Sequence, residues 1–103
     1  MARKRPGKVD QLLAEAKALL SDRFGRRLKG IVLFGSYVRG DFTDGSGIDL
    51  LVLLSPLPDP LAESERIFPA FFNLSLKYHI VLSIVLMDFD AFRYRRTPII
   101  LNP

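Results

Sequence analysis

Hydrophobic residues recur along the chain with two different spacings, and each spacing predicts a type of element. Between Val9 and Phe24 they recur every three or four residues, as on one face of an amphipathic helix. Gly25 follows, and glycine is the residue that most often ends a helix. Three mainly apolar segments have the length of strands and are too short to cross a membrane: Leu28–Phe34, which contains the apolar run Ile31–Phe34, and then Ile48–Leu54 and Ile80–Met87.

A long helix is predicted between the second and third apolar runs. Ser55–Pro58 breaks the chain with two prolines, Asp59 is a good N-cap, and Pro60 suits the first helical position. The helix is expected to continue to Tyr78, with a kink or a break just before Pro69. Its many apolar side chains are expected mainly in the core, and an exposed partner surface is the alternative.

The order of elements predicts the sheet. Gly40–Gly47 is a turn-rich loop, and a short helix is expected between the first strand and this loop, ending at Arg39. So short a connection brings the two strand ends together only if the first two strands are antiparallel. The third strand then joins by a helical crossover. The predicted fold class is α/β (α+β), a mixed β-sheet with packed helices, and the apolar second strand is expected to be buried on both faces.

Length and composition predict a single domain over residues 9–103, preceded by a basic, flexible tail at residues 1–8. The chain has no cysteine, which excludes disulfides and cysteine-based metal sites. No apolar segment follows the basic residues at the N-terminus, so we predict neither a signal peptide nor membrane association. These features favour a cytoplasmic location.

Positive charge is concentrated in the first part of the chain. Residues 1–40 carry a net charge of +7 and residues 41–103 a net charge of −3. A basic tail suggests nucleic acid, but no aromatic residue lies among Arg3, Lys4 and Arg5 to stack on bases, which argues against that partner. A second basic cluster lies at the C-terminal end of the first helix, where the negative end of the helix dipole favours positive charge. We therefore prefer a structural role for this cluster. Its members are Arg23, Arg26, Arg27 and Lys29.

The motif with the clearest chemistry is Gly35-Ser36-Tyr37-Val38-Arg39-Gly40, followed after a short loop by Gly47-Ile48-Asp49. This pattern resembles the signature of the minimal nucleotidyltransferases, in the DNA polymerase β-like nucleotidyltransferase superfamily. That signature is Gly-Ser, a spacer of similar length, and Asp-x-Asp at the start of a strand. The resemblance covers about residues 9 to 97, and it implies a polymerase β palm-like fold and transfer of a nucleoside monophosphate from a nucleoside triphosphate, for which ATP is expected.

The resemblance also implies roles for individual residues. Gly35 and Ser36 match the element that holds the triphosphate, and Arg39 would contact phosphate or brace the loop. Asp49 matches a catalytic carboxylate that binds Mg²⁺. Residues i and i+2 of a strand face the same side, which is why Asp-x-Asp presents two carboxylates to one metal site.

Two of the three expected carboxylates are absent. Gly47 stands at the first position of Asp-x-Asp, and Ser83 or a neighbour stands where a later strand would supply the third. Mg²⁺ binding is therefore expected to be weak or nucleotide-dependent. We favour a degenerate domain that keeps nucleotide binding and acts, antitoxin-like, as the partner of a HEPN-domain protein. The alternative is an active minimal nucleotidyltransferase that modifies a protein or small-molecule hydroxyl.

The sequence leaves self-association undecided and favours a structural role for the single histidine. A second copy of the chain is a further candidate partner, with no sequence feature that decides for or against it. His79 is the only histidine and is expected at the start of the third strand, where it has no neighbouring metal-binding residue. We therefore interpret it as a residue at the strand edge or the rim of the core.

Overall fold

The structure is a computed structural model that describes residues 7–35, 37, 40, 42, 43 and 45–93. Two long helices and three strands make up this part of the chain, and residues 89–93 are helical. In chain order the elements are α1 (Gly7–Phe24), a short 3-10 turn (Gly25–Arg27), β1 (Leu28–Phe34), β2 (Ile48–Leu54), α2 (Pro60–Tyr78) and β3 (Leu82–Asp88).

The three strands form one mixed sheet in the order β1-β2-β3. β1 and β2 are antiparallel, and Phe34 pairs with Asp49 at the end where β1 finishes and β2 begins. β2 and β3 are parallel and are joined through α2, with Asp49 beside Ser83. The predicted mixed sheet with packed helices and a helical crossover is confirmed.

Both long helices cover the same face of the sheet. The residues of β2 that point to this face are almost completely buried, and so are the inward residues of the two helices. The main members of this core are Val9, Leu12, Ala16, Leu20, Ile48, Leu50, Val52, Leu54, Ile67, Phe71 and Leu74. The three-to-four-residue spacing in the helices and the alternation in β2 therefore build a single apolar layer between helices and sheet.

The opposite face of the sheet is partly exposed, although Leu53 on this face is buried. We call it the open face, and its cross-strand rows include Phe34, Asp49 and Ser83, then Val32 and Val85. Phe34 is 42% exposed and Val85 46%. The expectation that β2 is buried on both faces is met only in part: Leu53 on the open face is buried, but Asp49 and Leu51 are half-buried because both long helices pack on the other side.

The first helix follows the predicted pattern, with a slightly different start. It begins at Gly7 rather than Val9, so the last two residues of the predicted tail are helical. It ends after Phe24 because Gly25 takes a left-handed conformation, with φ of +53°, which a glycine adopts at low cost.

The second long helix begins and ends as predicted and is uninterrupted. The N–H of Ala62 donates to the Asp59 carboxylate at 3.2 Å, and Pro60 occupies the first turn. The helix runs through Pro69 to Tyr78, so the predicted break is absent. Pro69 lies on the exposed side of α2. Water can therefore satisfy the carbonyl that loses its intrahelical partner there.

The third strand starts two residues later than predicted because the end of α2 takes up the intervening residues. His79 is left-handed, with φ of 55°, and its N–H points back to Leu76 and Ser75 of α2. The N–H of Ile80 donates to the Ser75 carbonyl at 3.2 Å. Ladder pairing begins only at Leu82. The prediction that His79 lies at the strand start is therefore wrong, since it is an exposed helix cap.

Arg27 anchors the end of the first helix to the start of the second. Its guanidinium donates twice to the Pro56 carbonyl, at 3.0 and 3.1 Å, and forms an ion pair with Glu63 at 3.4 Å. Arg66 also pairs with the buried Glu63 carboxylate, at 3.5 Å. For Arg27 the structural explanation of the basic cluster is supported, although its partners lie far away in the sequence.

A second polar cluster joins the middle of α1 to the end of α2. The ammonium of Lys77 lies 2.9 and 3.0 Å from the two carboxylate oxygens of Glu15, and the Tyr78 hydroxyl donates to the same carboxylate. The Tyr78 hydrogen bond, followed by that from Lys77, lowers the pKa of Glu15. The same contacts raise the pKa of Lys77 and of Tyr78, because both protonated groups are held by the carboxylate.

Candidate nucleotide-binding site

The candidate site begins where β1 ends against the start of β2. Gly35 has a φ of +88°, and a Cβ at this position would lie only 2.6 Å from Oδ2 of Asp49. The Asp49 carboxylate therefore packs directly on the glycine backbone. The conformation favours glycine, and any larger residue would also displace the carboxylate. Gly35, the first residue of the Gly-Ser element, thus lies against Asp49.

The other residues of the predicted element are not covered by the structure. Ser36 and Arg39, for which phosphate contacts are predicted, lie outside the described residues. Asp41 and Asp44 of the following loop also lie outside them. Their roles stay predictions from the sequence. The described part of the site consists of Gly35, Gly47, Asp49 and Ser83.

Ser83 lies beside Asp49 on the open face. The two residues are paired in the parallel β2–β3 ladder, and neighbouring strands are about 4.8 Å apart. The Ser83 side chain is exposed, so nothing among the described residues covers it. A side chain at this position can reach the Asp49 carboxylate, which agrees with the alignment that places Ser83 where a third carboxylate would stand.

Gly47 is held tightly against the chain that leads into β3. The Val81 carbonyl accepts a hydrogen bond from the N–H of Ile48 at 2.8 Å. A Cβ on Gly47 would lie 3.0 Å from that carbonyl oxygen and 3.4 Å from the Val81 Cβ. A side chain at this position would push the carbonyl away by a few tenths of an ångström. Sequence reasoning identifies the missing carboxylate but has no means of seeing this contact.

The loop between β1 and Gly47 is held by contacts among its own residues. The Tyr37 ring stacks on Phe42 with a centroid distance of 4.6 Å, and both rings are buried. The Tyr37 hydroxyl donates to the Ser46 carbonyl at 3.4 Å, and the Ser46 hydroxyl accepts from the N–H of Thr43 at 2.8 Å. Tyr37 lies in the spacer between Gly-Ser and the Asp-x-Asp positions, so the sequence pattern does not mark it as a support for the site.

The metal-binding capacity of the described residues is small. They contain no group of three acidic or histidine side chains close enough to hold a metal ion together. Asp49 is the carboxylate at the Gly35 contact. One carboxylate fits a single Mg²⁺ whose coordination is completed by substrate phosphates and water, and it does not fit a two-metal site on its own. No helix in the described part of the chain could span a membrane.

Comparison with known proteins identifies the family. Residues 13–97 match the nucleotidyltransferase domain family, so most of the chain is covered, and the chain belongs to that family. The predicted resemblance is therefore confirmed, and the three-stranded mixed sheet with two helices on one face is consistent with the fold of that family.

The relatives carry a more specific name. "Putative protein adenylyltransferase MJ0141" of Methanocaldococcus jannaschii is 33% identical over 78 residues, which cover 76% of this chain and 78% of the relative. Protein adenylyltransferase MntA of Thermococcus cleftensis is 39% identical over 68 residues, which cover 64% of this chain and 67% of the relative. No solved structure gives a significant match to this chain.

Proposed function

We propose that this nucleotidyltransferase domain binds ATP at the contact between Gly35 and Asp49 but has lost most of its transfer chemistry. The observation that carries the proposal is that, among the residues the structure describes, Asp49 is the one carboxylate at this contact, with Gly47 and Ser83 at the two positions where the family resemblance implies two more. We further propose that the domain acts, antitoxin-like, as the partner of a HEPN-type protein.

Nucleotide binding is supported by the backbone at Gly35. A glycine with positive φ leaves no side chain between the backbone and a phosphate group. Asp49 would hold one Mg²⁺ through the phosphates of the bound nucleotide, and the metal would neutralise phosphate charge. The name adenylyltransferase, which both relatives carry, supports adenine as the base.

Loss of transfer chemistry is supported by the number of missing ligands. A metal ion stabilises the transition state of phosphoryl transfer by several kcal/mol. Loss of two of the three ligands should remove a large part of this stabilisation. Each 1.36 kcal/mol changes a rate tenfold, and a loss of about 4 kcal/mol lowers the rate by roughly 10³. The close approach of the Val81 carbonyl leaves little room for a side chain at position 47.

The HEPN partner rests on the family resemblance, since members of this family often pair with such proteins. Copurification of a tagged chain with a coexpressed HEPN-domain protein tests the pairing directly. A complex of defined stoichiometry is expected. Separate elution of the two proteins under all salt conditions would refute this part of the proposal and would leave nucleotide binding untouched.

The alternative function is an active minimal nucleotidyltransferase that moves AMP from Mg·ATP to a hydroxyl on a protein or small molecule. The names of the relatives favour it, because both name the transfer of an adenylyl group to a protein. The two functions differ in the expected rate of transfer, and binding of Mg·ATP is common to both.

Calorimetric titration with Mg·ATP and with Mg²⁺ alone tests the proposed site. We expect the parent to bind Mg·ATP weakly and Mg²⁺ alone hardly at all, and we expect Asp49→Asn to lose the metal-dependent part. The variant Gly47→Asp/Ser83→Asp should bind Mg·ATP at least tenfold more tightly than the parent. Each single change should do less, because ligands of one metal act as a unit.

Two controls make this titration decisive. Asn73→Asp adds a charge at an exposed position on α2, away from the site, and should change nothing. The double variant should melt at a lower temperature than the parent without metal, because its carboxylates repel one another and position 47 is crowded. Tight binding of Mg²⁺ to the free parent, or no gain in the double variant, would contradict the proposed assignment of ligand positions.

A further inference from the structure

An apolar groove lies beside the outer edge of β3 and extends along this strand as far as Ser83 of the candidate nucleotide site. It has a volume of about 730 Å³ and lies between α2 and the start of β3. On the α2 side, Phe68, Phe72 and Leu76 project from successive turns with 63%, 50% and 57% of their surface exposed. On the strand side, Val81 is 70% exposed. We call this surface the α2–β3 groove. Single exposed apolar residues are ordinary, but a continuous set of this size marks an interaction surface.

The outer edge of β3 can accept another strand. The Val81 carbonyl points to β2, where it binds the N–H of Ile48. Because peptide groups alternate along a strand, those of Ile84 and Leu86 point away from β2, and no described residue pairs with them. The N–H of Leu82 is already taken by the Ser75 hydroxyl, at 3.1 Å. Pairing with a new strand would therefore centre on the middle of β3.

The edge of β3 also lacks the features that usually prevent pairing. Residues 82–87, which include the middle of β3 where a new strand would pair, contain no charged residue and no proline, and Asp88 at the end of β3 is its one charged residue. The outer strand at the other side of the sheet, β1, carries Lys29. Charged side chains on an edge strand are a common protection against association. The contrast between the two edges singles out β3 as the edge open to a partner.

We propose that the α2–β3 groove is the interface between two copies of this chain. Antiparallel pairing of β3 with its copy creates one continuous sheet and requires a two-fold axis perpendicular to that sheet. The same axis puts both helical layers on one side, so the α2 helices meet along Phe68, Phe72 and Leu76. One symmetry operation thus covers both the strand edge and the helix surface. Uncharged residues suit an isologous contact, in which each meets its own counterpart.

The register of this pairing follows from the outward peptide groups. Val85 is the middle residue of β3, so full overlap places it opposite its own copy. Ile84 of each chain then exchanges hydrogen bonds with Leu86 of the other, which uses the outward groups of both. The Val85 pair is of the non-hydrogen-bonded type, in which the side chains are closest.

The exposed area is sufficient for a stable dimer. Aromatic residues bury 150–250 Å² when fully covered, so the exposed residues of the groove together with Val85 offer about 600 Å² on each protomer. Two protomers would then bury about 1,200 Å² in side chains alone, at the lower end of the range for specific interfaces. The interface would make Ser83 and the open face part of one larger sheet surface.

Sedimentation equilibrium over a range of protein concentrations tests the proposal. We expect the parent to be dimeric at micromolar concentrations, and we expect Phe72→Glu and Val81→Lys each to weaken the dimer at least tenfold. Leu19→Glu is the matched control, because it introduces the same charge as Phe72→Glu at an exposed leucine on α1 and should leave the dimer intact. A parent that stays monomeric at hundred-micromolar concentration, or a dimer insensitive to both groove variants, would overturn the proposal.

A cysteine crosslink provides a second test that does not rely on disrupting the surface. The chain has no native cysteine, so Val85→Cys places a single thiol at the proposed axis. Mild oxidation should convert this variant to a covalent dimer, because directly opposed Cβ atoms lie within disulfide range. Leu19→Cys should crosslink far less. Equal crosslinking of the two variants would mean random collision and would overturn the proposal.

Discussion

Replacing Gly35 with alanine tests the contact on which the candidate site is built. The residue needs a positive φ of +88°, and its Cα faces the Asp49 carboxylate so closely that a Cβ would stand 2.6 Å from Oδ2. Gly35→Ala therefore imposes two separate costs, one in the backbone and one in the position of the carboxylate. Both should reduce stability, and the second should also displace the proposed metal ligand.

The size of each cost can be worked out from the geometry. An L-residue held at positive φ costs about 1–2 kcal/mol. Turning the Asp49 side chain away from its position adds about 1 kcal/mol, the cost of leaving a favoured rotamer. We therefore expect a loss of about 2–3 kcal/mol in the free energy of unfolding. For a domain of this size, that corresponds to a drop in Tm of about 10 °C or more.

Two other glycines separate the contributions. Gly25 also has positive φ, +53°, but no atom lies within 4 Å of the position that a Cβ would take there, so Gly25→Ala carries only the backbone cost. Gly45 has neither a positive φ nor a close neighbour, so Gly45→Ala should be nearly neutral. All three substitutions reduce the freedom of the unfolded chain in the same way, which removes that effect from the comparison. Urea unfolding of the three variants gives the three free energies.

A double-mutant cycle isolates the contact with Asp49. In the Asp49→Ala background the carboxylate is gone, so Gly35→Ala should cost about 1 kcal/mol less than in the parent. The reasoning is refuted if Gly35→Ala costs no more than Gly25→Ala and the two changes at the site are simply additive. In that case the carboxylate does not pack on Gly35, and the site as described does not exist.

Two further predictions concern the polar clusters that join the helices. Glu63→Ala should lower the free energy of unfolding, measured in urea, by about 2 kcal/mol, because it leaves Arg27 without its carboxylate partner. Arg66→Ala removes an exposed guanidinium and should cost less than about 1 kcal/mol. Contacts with Tyr78 lower the pKa of Glu15 below its ordinary 4.5, so their stabilisation is present above pH 4.5 and lost as the pH falls below it. Thermal melts above and below pH 4.5 should show a fall in Tm at low pH in the parent and not in Glu15→Gln. A parallel fall in both proteins would count against a role for the Glu15 carboxylate.

The parts of the fold that depend on local patterns could be predicted from the sequence. The bounds of β1 and β2 follow from apolar runs between turn residues, and Asp59 and Pro60 mark the start of α2 in chemical terms. The start of β3 could not be predicted because Ile80 is as apolar as the strand residues after it. Its backbone is instead used to complete the end of α2, which depends on the left-handed turn at His79.

The unpredicted features of the site arise from contacts between distant parts of the chain. The Gly35 contact with Asp49 could be expected, because both residues sit at adjoining strand ends. The close approach of the Val81 carbonyl to Gly47 could not be predicted, because it depends on how α2 positions the start of β3 beside β2. Arg27 illustrates the same limit: its charge suits a helix end, but its partners Pro56 and Glu63 are reached only in the folded chain.

The most direct test of the central claim is a transfer assay with labelled Mg·ATP. The parent, Asp49→Asn and Gly47→Asp/Ser83→Asp are each incubated with the nucleotide and a cell extract that supplies protein and small-molecule acceptors. We predict that the parent transfers no more label than Asp49→Asn, and that the double variant exceeds both. Transfer by the parent that disappears in Asp49→Asn and matches the double variant would contradict the loss of chemistry and establish an active enzyme.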